Sequence, residues 1–335
     1  MSKNQNGKEA EYQKYLTEQQ GKIGSTPQFI DSVVSKATGS RIKNNKRLMV
    51  GETNEVYDVQ TEENQSVIVR VAHYDWGSFK KEKWAFEESG KKGVPVPKVL
   101  LVEDSTDGGK FTSVCVLSKL PGHPLDQREV TSPDEDRKYL SGIIRKAGSI
   151  LSKLHQVETI GFGEINENGQ GEFETFYDSL VSSLLDTERL DKVITHNNLP
   201  PNLFNKAMQI LKSHQDILTA IKPHLLHGDY GPKHIMVDGD QITGILDFGN
   251  ARSGDPALDF AWWDSWYNDQ TPTKWLMEGY ENKDIFGSDF EDRFQLSKIS
   301  INIDLLVYYD EGGFKSGVEI AKNNLLTAIN YFLKK

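Results

Sequence analysis

The stretch that most constrains this chain is LLHGDYGPKHIMVDGDQITGILDFGNARSGDPALDF, residues 225–260. Within it, Ile235-Met236-Val237 reads as a short strand, Asp238-Gly239-Asp240 as a tight turn, and residues 242–246 as the returning strand. In a hairpin, the residue before the first strand and the residue after the second lie at the same end. His234 and Asp247, thirteen positions apart, therefore face one small volume, with Asp229 beside them. A carboxylate, a second ligand and a neighbouring carboxylate base are the donor set of a metal–phosphate site.

Composition narrows the partners. A length of 335 residues allows two domains, or one two-lobed domain with a large core. The formal net charge of −10 argues against nucleic acid, which is met by a basic face, and mildly favours a cationic small molecule. Cys115 is the single cysteine and sits in an apolar run, so it reads as a buried small residue in a chain suited to a reducing compartment. The first sixteen residues lack the apolar core of a signal peptide, and no apolar run approaches the ~20 residues needed to span a bilayer. The expectation is a cytoplasmic protein with no nucleic-acid or membrane partner. Whether it is a monomer or a dimer is left open by the sequence.

Taken in order, residues 1–40 form a polar extension followed by a helix opened by Thr26-Pro27, with Ile30, Val33 and Val34 on one side. Residues 41–120 then read as strands. Residues 47–50 lead into the loop Gly51-Glu52-Thr53-Asn54-Glu55, and strands follow at 56–59 and 66–71. Such a loop can serve as a phosphate flap: its backbone N–H groups, Gly51, Thr53 and Asn54 would meet phosphate oxygens, and Arg70 on the third strand would add a charge. A helix over 79–89 carries Glu82, which can pair with Arg70, although Glu87 and Glu88 compete for that role. Two more strands, 99–102 and 111–117, end near Ser118, which is the last candidate on the nucleotide side. Pro121-Gly122-His123-Pro124 is a breaker cluster and marks the boundary.

Residues 121–335 change to helical periodicity. Ser132-Pro133-Asp134-Glu135 is a capping-box start, and the apolar positions that follow, from Leu140 to Leu154, give that helix a buried face. His155 closes it as a packing or capping residue, and residues 160–163 form a turn. Helical patterns recur over 173–190, 203–221, 258–267, 290–309 and 318–333. The architecture expected is α+β, strands first and helices after.

The order of these features resembles the protein-kinase-like fold, and more closely the aminoglycoside phosphotransferase family. The residues that carry the resemblance are His227-Gly228-Asp229, a ligand five residues later, Asp247-Phe248-Gly249 eighteen residues on, and Gly254-Asp255-Pro256 with Asp259. Within that family the hygromycin B phosphotransferases are the nearest match, through residues 51–57, 67–71, 94–100 and 161–163. The resemblance covers residues 40–335. It implies a two-lobed protein-kinase-like fold, with a small antiparallel β-rich N-lobe and a larger, mainly helical C-lobe. It also implies ATP or GTP as co-substrate, Mg²⁺ as cofactor and transfer of the γ-phosphoryl to an acceptor hydroxyl. Asp229 would accept or orient the hydroxyl proton, His234 and Asp247 would hold the metal, and Arg70, oriented by Glu82, would position the phosphates. Two residues depart from the pattern: Arg70 stands where the family more usually has Lys, which keeps the charge and adds a planar fork suited to phosphate, and His234 stands where it usually has Asn. A neutral imidazole still ligates Mg²⁺, though oxygen is the harder donor.

For the acceptor, residues 250–311 hold 13 Asp plus Glu against five Lys plus Arg. A polycationic aminoglycoside of the hygromycin B type would be drawn to such a surface, with Asp264, Asp269, Asp304 and Asp310 as candidate contacts; a solvated acidic face is the competing reading. Trp262, Trp263 and Trp266 either line an acceptor pocket or belong to the core. Asp255 and Asp259 are expected to brace the loop around Asp229 by hydrogen bonds. The same residues would serve a kinase of a macrolide, a sugar or an amino alcohol, and His234 leaves room for a non-catalytic nucleotide-binding relative.

Overall fold

Strand-forming residues with period-two burial build the first part of the chain. The strands are β1 (Ile42–Leu48), β2 (Glu55–Thr61), β3 (Ser66–Ala72), β4 (Val99–Asp107) and β5 (Lys110–Ser118). They pair antiparallel in the order β1-β2-β3-β5-β4. β1 is an edge strand of polar and cationic residues, a composition that discourages pairing with a further strand. The helix expected from Thr26-Pro27 is α1 (Pro27–Thr38). Thr26 Oγ1 accepts from Phe29 N at 3.2 Å, and Gly39 ends the helix at φ +75°. Ile30, Val33 and Val34 bury against Tyr57, Val59, Val67, Val69 and Val116, at roughly 1.5–3 kcal/mol for each fully buried side chain. Cys115 lies in this sheet; burial pushes its thiol up to about 12, so it is a packing residue.

The computed structural model describes residues 24–50, 54–73, 78–107, 110–128 and 132–335. Two units emerge: one runs to Glu87 and resumes over Val96–Pro121, and the other takes Glu88–Pro95 and Gly122–Lys335. Helix α2 (Lys80–Lys91) follows β3 in sequence. Phe79, just ahead of it, and Phe86 are buried.

The second unit opens with β6 (His123–Pro124) and α3 (Pro133–Leu154). Ser132 Oγ caps α3 by accepting from Glu135 N at 3.4 Å. β7 (Phe162–Ile165) and β8 (Gly171–Phe173) follow, so the turn expected at 160–163 leads directly into a strand. The next two helical patterns are broken. Residues 173–190 give β8, α4 (Phe176–Val181) and the start of α5 (Thr187–Asn197), because Thr175 and Asp186 each cap a new helix. Residues 203–221 give α6 (Leu203–Ser213) and α7 (Gln215–Thr219), separated where His214 leaves the helical region at φ −116°. Then come β9 (His224–Leu226), β10 (Ile235–Asp238), β11 (Gln241–Ile245), β12 (Arg252–Gly254), α8 (Ala257–Tyr267), α9 (Thr273–Gly279), α10 (Phe290–Gly312) and α11 (Lys315–Leu333). Two small sheets, β11-β10-β6 and β8-β7-β12-β9, hold the loops between them in place. α8 and α10 bury residues on every side and form the centre of this unit. Among the described residues no helix is long and apolar enough to cross a membrane.

Candidate active site

Three positions converge because the hairpin closes in register. Ile235 pairs with Ile245 and Asp238 with Gln241, so the turn is the two residues Gly239-Asp240, with Gly239 at φ +58°. Leu246 N donates to His234 O at 2.9 Å, which ties the two outer ends together. Ahead of β10, Pro232–His234 forms a single 3-10 turn closed by His234 N donating to Gly231 O at 2.9 Å. That turn sets His234 and Lys233 back over Asp229.

The distances follow from this. His234 Nε2 lies 3.2 Å from Asp229 Oδ2, and His234 Nδ1 lies 3.8 Å from Asp247 Oδ2. Lys233 Nζ, absent from the sequence-based expectations, is 2.9 Å from the same Asp229 Oδ2. Asp229 is only 8% exposed, and its other oxygen, Oδ1, has no hydrogen-bond partner among the described residues. Burial works to raise the Asp229 carboxyl, but the hydrogen bond and charge of His234, with Lys233, outweigh it and hold it below the ordinary carboxylate value. The group is therefore ionised at neutral pH with one oxygen occupied and one orphaned. Asp247 carries φ +61°, a left-handed backbone that costs a non-glycine residue about 1–3 kcal/mol and aims its half-exposed carboxylate toward His234.

The donor set suits a divalent cation. With Nε2 as the donor to Asp229, a neutral His234 would turn its Nδ1 lone pair toward the Asp247 carboxylate, 3.8 Å away. Among the described residues no group of three or more His, Cys, Asp or Glu side chains converges as a self-sufficient metal site. Two protein ligands are what Mg²⁺ needs when phosphate oxygens and water supply the remainder.

A buried network holds the loop. Asp259, on α8, accepts from His227 N at 2.9 Å and Gly228 N at 2.8 Å, and its Oδ2 meets His155 Nε2 at 3.0 Å. His155 Nδ1 in turn contacts the Tyr280 hydroxyl at 2.9 Å, so the residue closing α3 both packs and braces. Gly228 sits at φ +77°, where a Cβ would fall 2.1 Å from Asn250 O; only glycine fits. His227 is fully enclosed, and burial lowers its pKa. Its Nε2 contacts Leu246 O at 2.9 Å, while Nδ1 accepts from Asp229 N at 3.3 Å, which fixes it as a neutral structural member. Asp255 does something different from the bracing expected of it: it caps α8 through Ala257 N and pairs with Arg293 Nη1 at 2.6 Å on α10.

In the first unit, Arg70 Nη1 pairs with Glu82 Oε2 at 2.5 Å, and the guanidinium stacks 4.9 Å from the Phe79 ring centre. The competitors are engaged elsewhere, Glu87 with Lys83 and Glu88 with Lys91. Ser118 Oγ accepts from Lys98 N at 2.8 Å, and Asn54 stands just before β2. Gly51 and Thr53 lie outside the described residues.

The acidic candidates separate. Asp264 pairs with Lys298 at 2.6 Å, and Asp310 meets Asn197 Nδ2 at 2.8 Å and His196 Nδ1 at 2.9 Å. Asp269 is exposed in the turn after α8. Asp304 is exposed on α10, yet protein crowded against its inner side raises its carboxyl, with Arg252 and Ser183 acting against that. Part of the acidic excess is met by cations outside the counted segment: Glu278 pairs with Arg145, Glu311 with Arg189 and Asp292 with Lys335. Trp263 is core, donating to Thr271 O at 2.7 Å, whereas Trp262 and Trp266 are half-buried.

Two further residues stand at the site. Tyr267, the last residue of α8, lies against Gly231: a Cβ there would be 2.4 Å from its ring. Asp126, on the single turn Leu125–Gln127, feels the charges of His234 and Lys233. Sequence spacing gives Lys233 its adjacency to His234, but nothing in the chain order points to Asp126 or Tyr267.

An antiparallel β-rich unit, a helical unit, and a His-Gly-Asp loop joined by a hairpin to Asp-Phe-Gly together define a protein-kinase-like α+β fold. The chain belongs to the phosphotransferase enzyme family, whose model matches residues 45–281. Hygromycin-B 4-O-kinase of Escherichia coli is 21% identical over 194 residues, covering 56% of this chain and 53% of that enzyme. The chain thus spans about half the length of that curated relative. Among solved structures, the aminoglycoside phosphotransferase APH(4)-Ia in complex with ADP and hygromycin B superimposes with a TM-score of 0.72 at 16% identity, covering 90% of this chain and 98% of that one. The macrolide 2'-phosphotransferase MphH of Brachybacterium faecium gives a TM-score of 0.59 at 16% identity, covering 89% and 97%.

Proposed function

We propose that this protein transfers the γ-phosphoryl of ATP or GTP to a hydroxyl of an aminoglycoside, with a hygromycin B-like acceptor preferred. The observation that carries the reading is Asp229. It is a buried, ionised carboxylate with Oδ2 held by Lys233 and His234 and Oδ1 left without a partner. That oxygen is free to accept the hydrogen bond of an incoming hydroxyl and draw off its proton as the new P–O bond forms. Lys233 and His234 fix the carboxylate's rotation, so only Oδ1 is offered. His234 and Asp247 would hold Mg²⁺, which when bound neutralises phosphate charge. Arg70, oriented by Glu82, would supply a planar charge to the nucleotide phosphates. The buried cysteine fits work in a reducing cytoplasm.

A macrolide acceptor is the second reading, supported by the fold shared with MphH. Nucleotide consumption with ATP and with GTP, across hygromycin B, other aminoglycosides and a macrolide panel, separates the two. Stimulation by aminoglycosides is expected; stimulation by macrolides alone would replace the preferred acceptor. No stimulation by any acceptor would overturn the transferase reading.

Two results bear on the nucleotide and metal roles. Glu82→Gln leaves the Arg70 guanidinium without its carboxylate, and the nucleotide KM is expected to rise about tenfold with a smaller change in kcat, since a hydrogen bond to a charged group is worth about 1.5–3 kcal/mol. Unchanged nucleotide KM would remove Arg70 and Glu82 from the site. His234→Asn replaces an imidazole donor by a harder oxygen, and the preference for Mn²⁺ over Mg²⁺ is expected to fall several-fold. Mn²⁺ binding followed by electron paramagnetic resonance, with Mg²⁺ as competitor, checks this without turnover.

A further inference from the structure

Asp126 is an exposed carboxylate met by the backbone N–H groups of Asp126 and Gln127, with no ion pair and no hydrogen bond to another side chain among the described residues. It is not loosely held. The residues just before it, His123 and Pro124, pair with Val237 and Met236 of β10, and its own turn, Leu125–Gln127, packs against the Pro232–His234 turn. Gly122, which begins this segment, has φ +86° and would place a Cβ 1.9 Å from Val237 O, so the approach to the hairpin is tight. The carboxylate is thereby anchored to the same loop that carries Lys233 and His234. Across the loop, the Tyr267 ring rests on Gly231, two residues from Asp229, and its phenol feels the charges of Asp229 and Asp126. The Tyr267 hydroxyl makes no hydrogen bond among the described residues. Burial and these two negative charges keep it protonated, as a donor. Asp126 is a carboxylate held in place without a cation beside it, and an arriving cation would pair with it.

We propose that Asp126 receives a protonated amine of the acceptor, with the Tyr267 hydroxyl beside it, and so steers an amino-sugar hydroxyl onto the orphaned Asp229 Oδ1. The inference rests on the proposed transferase function and narrows it: the acceptor carries its positive charge close to the reacting hydroxyl. It also assigns recognition to the segment before α3 rather than to the acidic helices after residue 250.

The test uses the full chain and hygromycin B as the probe, with binding measured by calorimetry at low and moderate salt and transfer measured separately. Asp126→Asn is expected to weaken hygromycin B by about tenfold or more, the value of one charge-assisted hydrogen bond, and to flatten the salt dependence. KM for the acceptor should rise far more than kcat falls. Asp126→Glu keeps the charge and should retain most of the affinity. Hygromycin B with its amines acetylated should bind wild type and Asp126→Asn equally. Equal affinity of wild type and Asp126→Asn for hygromycin B would overturn the assignment, as would failure of the wild-type chain to bind any amino-sugar antibiotic. Binding that depends on Asp126 without nucleotide turnover would overturn the transferase reading while leaving the amine site in place.

Discussion

Asp229→Asn is expected to reduce phosphoryl transfer by about 10²- to 10⁴-fold, the usual contribution of a positioned general base, with the fold intact. The amide is the same shape as the carboxylate, so the loop between β9 and β10 keeps its path. What it loses is the charge that Lys233 at 2.9 Å and His234 at 3.2 Å are arranged around, together with the basicity of Oδ1. The effect should fall on kcat rather than on nucleotide affinity. Steady-state kinetics against acceptor and nucleotide, with circular dichroism to show the native fold, measure it. Near-wild-type turnover by a folded Asp229→Asn protein would remove this residue from the chemistry.

The second large effect is on stability. Asp259→Asn should cost about 3–5 kcal/mol, the range for removing one charge from a buried pair. Both Asp259 oxygens are committed, Oδ1 to Gly228 N–H and Oδ2 to His227 N–H and His155. An amide can offer only one acceptor oxygen, so its NH₂ group would face a donor across less than 3 Å. Transfer activity should fall as well, since Gly228 at φ +77° would no longer be held beside Asp229. The pH dependence has a definite sign. Burial pushes the Asp259 carboxyl up, but His155, His227 and the backbone N–H groups hold it below its ordinary value. Its contribution to stability is therefore complete above the unfolded carboxylate range and is lost as pH falls through the lowered native value. Asp259→Asn should flatten that part of the acid limb. Urea unfolding across pH checks both statements, and an unchanged midpoint at neutral pH would contradict the bracing role.

Much of the site can be read from local sequence because a hairpin is a local object. Strand period, a glycine turn and apolar strand residues bring His234 and Asp247 together without help from the rest of the chain. The choice of Glu82 over Glu87 and Glu88 cannot be read that way. All three sit on one short helix, and only the packing of α2 buries Glu82 against Arg70 while leaving the others to pair with Lys83 and Lys91. The two broken helices show the limit in the other direction. Apolar spacing continues through residues 173–190 and 203–221, but Thr175 and Asp186 cap new helices and His214 turns the backbone, which a period of 3.6 does not register.

The acidic segment after residue 250 gives the same lesson for charge. Counted along the chain it is strongly negative, yet Arg145, Arg189 and Lys335 come from distant positions to meet its carboxylates. Net charge over a window is a property of sequence, whereas unpaired charge is a property of packing. Asp126, more than a hundred positions from Asp247, keeps an unpaired carboxylate beside the site because β6 pairs with β10.

The sequence by itself determined the strand-then-helix order, the hairpin and the convergence of Asp229, His234 and Asp247, since strand period, turn and spacing are local properties of the chain. Tertiary structure alone decided which oxygen of Asp229 is occupied, which glutamate faces Arg70, and which carboxylate near the loop is left without a cation. Those outcomes depend on where distant side chains come to rest, and chain order does not carry that distance.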